Sequence, residues 1–493
     1  MKYYSTRDKS VYVESSYAIL NGISKEGGLF VPENIPVLSQ DEFKRLAAME
    51  YPERAAYILG KYLTDFTDEE LKNCTEGAYI GNFDDDKPAP IGQLGSSINI
   101  LELWHGPTCA FKDLALQILP YLLSVSAKKQ STGKKTVILV ATSGDTGKAA
   151  LEGFKDVPNT EIMVFYPTNG VSPMQKLQMD SQKGSNVHVC SINGNFDDAQ
   201  TGVKKIFTDK KIKEQLSQNG MEFSSANSIN FGRLAPQIVY YVSAYLDMLN
   251  KGDDLSNGFN VVVPTGNFGN ILAAYYAKMM GVPISKLICA SNKNNVLTDF
   301  INTGIYDKNR KFYTTNSPSM DILISSNLER MLFHLCDDDK YISEIQKQLS
   351  ETGKYQVTSE IKEKLSELFY AGFCDEEGTL KTIGDTFREY GYLCDTHTAV
   401  AVKVYNDYAE KTGDKKPVVI ASTASPYKFS KSVLSAVSTL SDSDEFKTVE
   451  LLSEETGTPV PTPIADLKNA EIRFKDVCEK QDMYSAVCKA LKI

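Results

Sequence analysis

The amino-acid sequence predicts an α/β protein built from doubly wound parallel sheets. Two observations support this prediction. Short, continuous apolar runs rich in β-branched residues recur from residue 97 onward, which is typical of parallel strands covered on both faces. Stretches with helical apolar spacing lie between these runs, as crossovers between parallel strands require. The predicted strands are residues 98–103, 136–141, 161–167, 186–192, 259–264, 286–291 and 417–422.

The same alternation suggests how the chain is divided. Residues 1–96 are expected to form a mostly helical N-terminal segment, and residues 97–220 a smaller α/β lobe. Residues 221–293 and 393–493 are expected to form a larger α/β lobe. Residues 294–392 interrupt the pattern with charged helical sequence, so we expect a helical insertion or lid there. In open sheets of this kind, ligands bind beyond the carboxyl ends of the strands.

Composition narrows the function. The 493 residues include 53 basic and 63 acidic ones, and this net charge of -10 disfavours nucleic acid as a partner. Only eight of the basic residues are Arg, so an Arg inside a motif is informative. Nine Cys without a C-x-x-C pair, and four His without a cluster, predict free thiols and no metal site. A signal-peptide pattern and long apolar runs are missing, which predicts a soluble cytoplasmic protein without a membrane partner.

A glycine-rich turn follows the predicted strand that ends at Pro264. The turn consists of Gly266, Asn267, Phe268, Gly269 and Asn270. Backbone N–H groups at the start of the following helix would converge there, which favours binding of an anion such as phosphate. A plain tight turn is the alternative. No Lys-Ser/Thr pair follows, so a P-loop nucleotide site is disfavoured.

A second strand–turn–helix unit begins at Ala141. The hydroxyl groups of Thr142, Ser143 and Thr146 surround Gly144, and together with N–H groups they suit a carboxylate or a small phosphate. Capping of the helix by Ser143 or Thr146 is an equally simple explanation.

Lys112 stands at the start of a helix that follows the His105–Pro107 turn. The positive end of a helix disfavours an ammonium group, and a neutral amine is a nucleophile that forms Schiff bases with aldehydes. The alternative is that Lys112 is one of many surface lysines.

Two further segments carry polar groups at helix starts or strand ends. Asn227, Ser228 and the scarce Arg233 lie just before a predicted helix, where they suit a carboxylate or phosphate. A helix cap with a surface ion pair is the alternative. Thr423 follows the strand that ends at Ser422, and a hydroxyl there could contact a ring atom of a cofactor. Its alternative is a simple turn before Pro426.

Together, one Lys, one anion turn and hydroxyls at other strand ends are what pyridoxal phosphate needs. The chain also resembles the threonine synthase family of fold type II pyridoxal-phosphate enzymes, the tryptophan synthase β-like class, almost end to end. The motifs that carry the resemblance are YYSTRD (3–8), AILNGISKEGGLFVP (18–32), HGPTCAFKD (105–113), ATSGDTG (141–147), SPMQKLQM (172–179), NSINFGR (227–233), PTGNFGN (264–270), CDTHTAVA (394–401) and STASPYKF (422–429). The N-terminal segment and the insertion are similar to the longer branch of the family.

This resemblance implies a role for each candidate residue. Lys112 would form the internal aldimine with pyridoxal 5'-phosphate, and residues 266–270 would hold its phosphate. Thr423 would bond to the pyridine nitrogen. The Thr142, Ser143 and Thr146 turn would bind the substrate α-carboxylate. The substrate phosphate would lie against Asn227, Ser228 and Arg233.

Asp145 departs from the wider fold type, in which many members have Asn contacting the 3'-oxygen of the cofactor. An anionic Asp would repel that oxygen. We therefore expect either an extra proton in the site or an Asp145 side chain that points elsewhere, for example to Lys148.

The implied reaction is the last step of threonine biosynthesis, in which O-phospho-L-homoserine and water give L-threonine and phosphate. Other fold type II lyases remain open, such as a threonine dehydratase or a phospholyase. A binding protein without activity and a P-loop nucleotide enzyme are further alternatives. Both a monomer and a homodimer fit the sequence.

Overall fold

The computed structural model describes residues 1–84, 87–95, 97–142, 144–169 and 171–493. The N-terminal part combines a small antiparallel sheet with helices, whereas the sequence predicted mainly helix. Its elements are β1 (Lys2–Ser5), β2 (Asp8–Glu14), α1 (Ser15–Asn21), β3 (Phe30–Pro32), α2 (Gln40–Ala47), α3 (Tyr51–Tyr62) and α4 (Asp68–Tyr79). The strand order is β2-β1-β3. Capping boxes at Ser39 and Thr67 satisfy N–H groups at the starts of α2 and α4.

Strands and helices alternate through the middle of the chain, as the sequence predicted. The elements up to residue 224 are β4 (Ile91–Leu94), β5 (Ile98–Glu102), α5 (Lys112–Leu116), α6 (Leu119–Lys129), β6 (Lys135–Ala141), α7 (Asp145–Phe154), β7 (Thr160–Pro167), α8 (Pro173–Asp180), β8 (Val187–Asn193), α9 (Phe196–Thr208), α10 (Lys210–Gln218) and β9 (Met221–Ser224). No helix among the described residues is long and apolar enough to cross a membrane.

The second half begins with a long buried helix and ends with short surface elements. Its elements are α11 (Phe231–Lys251), β10 (Phe259–Pro264), α12 (Gly269–Met279), β11 (Ile284–Ser291), α13 (Val296–Thr303), β12 (Ile305–Asp307), α14 (Leu328–Cys336), α15 (Asp339–Thr352), β13 (Lys354–Gln356), α16 (Ser359–Leu368), β14 (Phe369–Phe373), α17 (Glu376–Tyr390), α18 (Thr396–Thr412), β15 (Val418–Ser422), α19 (Ser430–Val437), α20 (Glu445–Thr456), α21 (Thr462–Ala465), β16 (Val477–Glu479) and α22 (Met483–Leu491). Single 3-10 turns lie at Pro318–Met320, Pro426–Phe429 and Asp466–Asn469.

Two large sheets organise the molecule. The six-stranded sheet has the order β14-β11-β10-β15-β5-β4, and all its pairings are parallel except that of β4 with β5. The five-stranded sheet has the order β16-β8-β7-β6-β9 and is parallel throughout. Every residue of β10 and β15 is buried, which explains why these strands have continuous apolar sequences.

The sheets cross the boundaries of the expected lobes. β5 was assigned with residues 97–220, but it pairs with β15 in the six-stranded sheet. β9 and β16 were assigned to the larger lobe, but they are the two edges of the five-stranded sheet. β14, inside the expected helical insertion, is an edge strand of the six-stranded sheet. Strand pairing joins segments that are distant in sequence. Assigning β5, β9, β14 and β16 by their sequence neighbours therefore placed them with the wrong strands. The division into lobes itself stays a prediction.

Arg330 fastens the N-terminal part to the rest of the molecule. Its fully buried guanidinium donates hydrogen bonds to the carbonyl oxygens of Phe30 and Ile229 and to the side-chain oxygen of Asn327. Beside it, Glu329 accepts two hydrogen bonds from the Arg7 guanidinium, at 2.9 and 2.7 Å. Arg330, near the start of α14, thus connects this helix to β3 and to the segment before α11.

Replacing Arg330 with Met should lower the free energy of unfolding by about 2–4 kcal/mol, because three buried acceptors lose their donor. Urea unfolding followed by circular dichroism measures this loss. Arg388→Met is the matched control, since that guanidinium is 67% exposed and pairs with Asp385 at the surface. Equal stability of the two variants would contradict the structural role of Arg330.

Candidate active site

Three turns meet at one edge of the six-stranded sheet. β10, β15 and β5 are parallel neighbours, so the residues that follow them share that edge. The Phe111 N–H donates to the Thr423 carbonyl at 2.9 Å, and the Ser425 N–H donates to the Cys109 carbonyl at 3.0 Å. These bonds fix the start of α5 beside the end of β15. The structure therefore brings Lys112 and Thr423 together, as the sequence predicted.

Lys112 is a buried lysine, with only 11% of its side chain exposed. Its Nζ donates to Ser319 Oγ at 3.3 Å and lies 3.8 Å from Asp145 Oδ2. Burial lowers the pKa of this ammonium; Asp145 opposes the shift, whereas Lys428 and Arg233 add to it. The net direction favours the neutral amine, as nucleophilic chemistry requires. The alternative of a surface lysine is therefore wrong.

Asp113 holds the turn that precedes Lys112. Its carboxylate accepts hydrogen bonds from the Thr108 N–H at 2.8 Å and from the Thr108 hydroxyl at 2.6 Å. A Cβ atom at Gly106 would lie 2.6 Å from the Asp113 side chain, so only glycine fits there. Burial raises the pKa of Asp113 to about 6, although both Thr108 bonds oppose the rise.

Asp145 lies between two lysines at the start of α7. Its Oδ1 is 2.9 Å from the Nζ of Lys428, and its Oδ2 faces Lys112. Burial alone would raise the pKa of Asp145, but Lys428 and then Lys112 outweigh burial and hold it well below its usual range. The suggested contact with Lys148 is wrong, because that lysine pairs with Glu152 at 3.0 Å.

The Thr142 hydroxyl organises the turn before α7. Its Oγ1 accepts hydrogen bonds from the N–H groups of Gly144 and Gly147, both at 3.0 Å. Gly144 has φ = 145°, and a Cβ there would meet Gln175 at 2.3 Å. Thr146 is half-buried on the first turn of α7. Ser143 lies outside the described residues. Capping by Thr146 is wrong, because Gly144 is the N-cap residue and Thr146 lies inside α7. The Thr142 hydroxyl instead satisfies one N–H group in the first turn of the helix.

The turn from Gly266 to Asn270 connects β10 to α12. Phe268 has φ = 61°, which turns the chain sharply at the start of the helix. A Cβ at Gly266 would lie 2.8 Å from the Ser319 carbonyl oxygen, so glycine permits this close approach. The Ser325 hydroxyl donates to the Gly266 carbonyl at 2.7 Å.

Asn327 extends this support to the next residue of the turn. Its N–H and its side-chain amide each donate to the Asn267 carbonyl at 3.1 Å. The segment just before α14 thus supports the outside of the turn. The N–H groups of the first turn of α12 have no carbonyl partner within the helix, as in every α-helix.

Arg233 lies in the first turn of α11 and is buried, whereas Asn227, in the segment before the helix, is exposed. Arg233 Nη1 donates to the Ala226 carbonyl at 2.9 Å, and burial lowers its pKa to about 10. The Ser228 carbonyl accepts from the Asn327 side chain at 3.2 Å. The electrostatic effect of Arg233 on Lys112 connects this segment with the site. The alternative of a surface ion pair is wrong for Arg233.

Sequence reasoning missed three residues that contact the site. Lys428 and His397 lie within the STASPYKF and CDTHTAVA motifs, which were noticed without a role for either residue. His397 Nδ1 bonds to Asp395 at 2.8 Å, and its Nε2 accepts the Ser319 N–H at 3.1 Å. Ser319 itself lies on a 3-10 turn in the expected helical insertion, where no sequence pattern identified it.

Comparison with known families agrees with this geometry. Residues 88–424 match the family model described as "Pyridoxal-phosphate dependent enzyme". The fold and site thus define a fold type II enzyme that uses pyridoxal phosphate. Residues 2–79 match "Threonine synthase N terminus", and residues 398–487 match "Threonine synthase, C-terminal". The chain belongs to the threonine synthase family.

Similar proteins support this assignment. The chain is 38% identical to threonine synthase of Pseudomonas aeruginosa, with 88% of this chain and 90% of that protein covered. The chain is also similar to the crystal structure of pyridoxal-phosphate-bound threonine synthase from Brucella melitensis, with 35% identity and a TM-score of 0.89. The superposition covers 100% of this chain and 100% of that one. Human threonine synthase-like 1 is 43% identical over 86% of this chain. The chain spans only 58% of the length of that human protein.

Pyridoxal phosphate fits the residues that line the site. The Asn270 side chain is buried, and its Nδ2 has no hydrogen-bond partner among the described residues. Its Oδ1 is already occupied by the Tyr241 hydroxyl, so the amide is oriented as a donor. Arg233 Nε is likewise buried and unpartnered among the residues described. Buried donors without a partner suit the oxygen atoms of a phosphate group such as that of the cofactor.

The raised pKa of Asp113 predicts a pH-dependent stability. An Asp in the unfolded chain titrates near about 3.9. Between about pH 4 and pH 6 the unfolded chain loses this proton while the folded chain keeps it, so the free energy of unfolding decreases as pH rises. Relative to Asp113→Asn, the wild type should lose roughly 1–3 kcal/mol from pH 4 to pH 7. Urea unfolding of both proteins at pH 4 and at pH 7 measures this loss. The same stability difference between the two proteins at both pH values would contradict the raised pKa of Asp113.

Proposed function

We propose that this protein converts O-phospho-L-homoserine and water to L-threonine and phosphate. The observation that carries the proposal is the combination of a buried Lys112 amine with two buried donors, Asn270 Nδ2 and Arg233 Nε, that have no hydrogen-bond partner among the described residues. A substrate phosphate distinguishes this reaction from a dehydratase reaction, which has none to bind. Membership in the threonine synthase family supports the same choice.

The cofactor would be held by residues of the strand ends. When bound, pyridoxal phosphate supplies an electron sink that makes protons on the substrate carbons acidic. Lys112 Nζ would attach it covalently. The N–H groups and side-chain amide of the Gly266–Asn270 turn would hold its phosphate, and the Thr423 hydroxyl would bond to its ring nitrogen. Thr423 is 6% exposed, so this bond would be shielded from water.

The substrate would be held at both of its ends. Arg233 would bind its phosphate from inside the molecule, and Asn227 and Ser228 would complete that site from the preceding segment. The turn with Thr142, Ser143 and Thr146 would bind the α-carboxylate through N–H groups and hydroxyls. Because Thr142 Oγ1 already accepts the N–H groups of Gly144 and Gly147, we assign the direct contacts to the other two hydroxyls.

Lys112 would also move the proton at Cα. When it is not attached to the cofactor, the neutral amine would accept that proton at Nζ, and its lowered pKa favours the neutral form that this role needs. Ser319 lies against Lys112 and Gly266, so it shields the amine from bulk water. Arg233 would keep the departing phosphate in place while water adds at Cβ.

Phosphate release from O-phospho-L-homoserine tests the whole proposal. The purified yellow protein should release one phosphate for each L-threonine formed, measured by a coupled phosphate assay and by amino-acid analysis. Ketobutyrate as the main product would contradict the proposal and would favour a different lyase of the same fold.

Lys112→Ala should abolish covalent attachment of the cofactor, because the variant lacks the only side-chain amine proposed to bind it. Borohydride trapping followed by peptide mass spectrometry detects the adduct. Lys72→Ala, at a lysine whose side chain is 68% exposed, should keep the adduct at the wild-type level. Trapping on a different lysine in the wild type would contradict the assignment.

Arg233→Lys should raise the KM for O-phospho-L-homoserine by about 10- to 100-fold, because Lys keeps the charge but loses the two-pronged bond. Steady-state kinetics measure KM, and the visible absorbance of the bound cofactor should not change. Arg310→Lys, at a partly exposed pair with Asp299, serves as the control. A changed absorbance with an unaltered KM would contradict the role of Arg233.

A further inference from the structure

The carboxylate of Asp145 is divided between two lysines. Its Oδ1 contacts Lys428 Nζ at 2.9 Å and accepts a hydrogen bond from Gln175 at 3.2 Å. Its Oδ2 lies 3.8 Å from Lys112 Nζ and accepts a weak bond from Ser319 Oγ at 3.5 Å. The stronger contacts are all on the Oδ1 side. The carboxylate is therefore bound more tightly by Lys428 than by Lys112.

Lys428 is held firmly in this position. Its side chain is 2% exposed, and its Nζ donates to the Thr108 carbonyl at 2.8 Å. Thr108 also donates two hydrogen bonds to Asp113, the residue that follows Lys112 in the sequence. The 3-10 turn Pro426–Phe429 that carries Lys428 is thus fastened to the same turn as Lys112. A buried ammonium with a carboxylate and a carbonyl as partners is well satisfied.

We propose that Lys428 is a positioning residue that keeps Asp145 ionised and drawn away from Lys112, so that the Lys112 amine remains neutral and reactive. This inference rests on the proposed role of Lys112 in attaching the cofactor. It also resolves the charge problem that Asp145 raised. The site needs neither an extra proton on Asp145 nor a contact with Lys148, because a second lysine balances the carboxylate.

The charged groups around Lys112 determine the sign of the effect. Asp145 from α7 and Asp113 from α5 favour its charged form, and Lys428 and Arg233 favour its neutral form. Without the Lys428 charge, Lys112 loses one repulsion and becomes the sole lysine partner of Asp145. Both changes raise the pKa of Lys112. A rise of about one unit in the pKa of Lys112 lowers the fraction of neutral amine about tenfold near neutral pH.

Cofactor uptake by the apoprotein tests this role without any catalytic turnover. An amine reacts with an aldehyde as the free base, so the rate of uptake rises with pH as Lys112 loses its proton. The rate is followed by visible absorbance after adding pyridoxal phosphate at about pH 6 to 10. Lys428→Met should shift the midpoint upward by about one unit and slow uptake at neutral pH about tenfold. Lys428→Arg should keep the wild-type midpoint.

A double variant distinguishes a positioning role of Lys428 from a general loss of folded structure in Lys428→Met. Asp145 has a larger effect on Lys112 than Lys428 has, so adding Asp145→Asn to Lys428→Met should return the midpoint to the wild-type value or below it. An unshifted midpoint in Lys428→Met, with a native circular dichroism spectrum, would overturn the proposal. An equal shift in the double variant would also overturn it. Cofactor uptake by the wild type without threonine formation would contradict the proposed reaction and leave the role of Lys428 standing.

Discussion

The parallel pairing of β5 with β15 is the constraint on which the site depends. It places the ends of two distant strands side by side, and the backbone bonds from Phe111 to Thr423 and from Ser425 to Cys109 continue the contact beyond the sheet. Lys112 and Lys428 then reach the same small volume from opposite segments of the chain. β10 on the other side of β15 adds the turn at Gly266. Burial of these strands on both faces makes the arrangement rigid, because a slipped register would expose apolar residues to water.

Electrostatics in the site follow from burial more than from net charge. The chain carries a net charge of -10, yet the buried groups near Lys112 include Lys428 and Arg233. Away from water these charges act strongly on one another, so a single carboxylate at Asp145 affects the protonation of two lysines. Surface acidic residues are screened by solvent and salt and have little effect at this depth. An acidic protein can therefore bind phosphorylated molecules through a few enclosed donors.

Much of the fold could be predicted from the sequence, because buried parallel strands have continuous apolar runs that stand out, as at residues 259–264 and 418–422. Lys112, Gly266 to Asn270 and Thr423 could be named as candidates because strand ends with turn chemistry are recognisable locally. Sheet membership was not predictable in the same way: β5 and β16 pair with strands hundreds of residues away. Lys428 and Ser319 were missed for a related reason. Neither has a local signal, since a buried lysine and a surface lysine look the same in sequence, and only the folded chain brings them to Asp145.

The position of β15 has a consequence for how the molecule is made. Residues 418–422 form a strand near the middle of the six-stranded sheet, with β10 on one side and β5 on the other. During synthesis the chain emerges from its N-terminus, so β5 and β10 are complete long before the strand that joins them exists. Until then each has an unpaired backbone edge and apolar side chains on its faces, and such strands promote aggregation. The central sheet can close only after residues 418–422 have been translated, and the non-local pairing makes that closure slow. A nascent chain thus needs these edges to be shielded until β15 has formed.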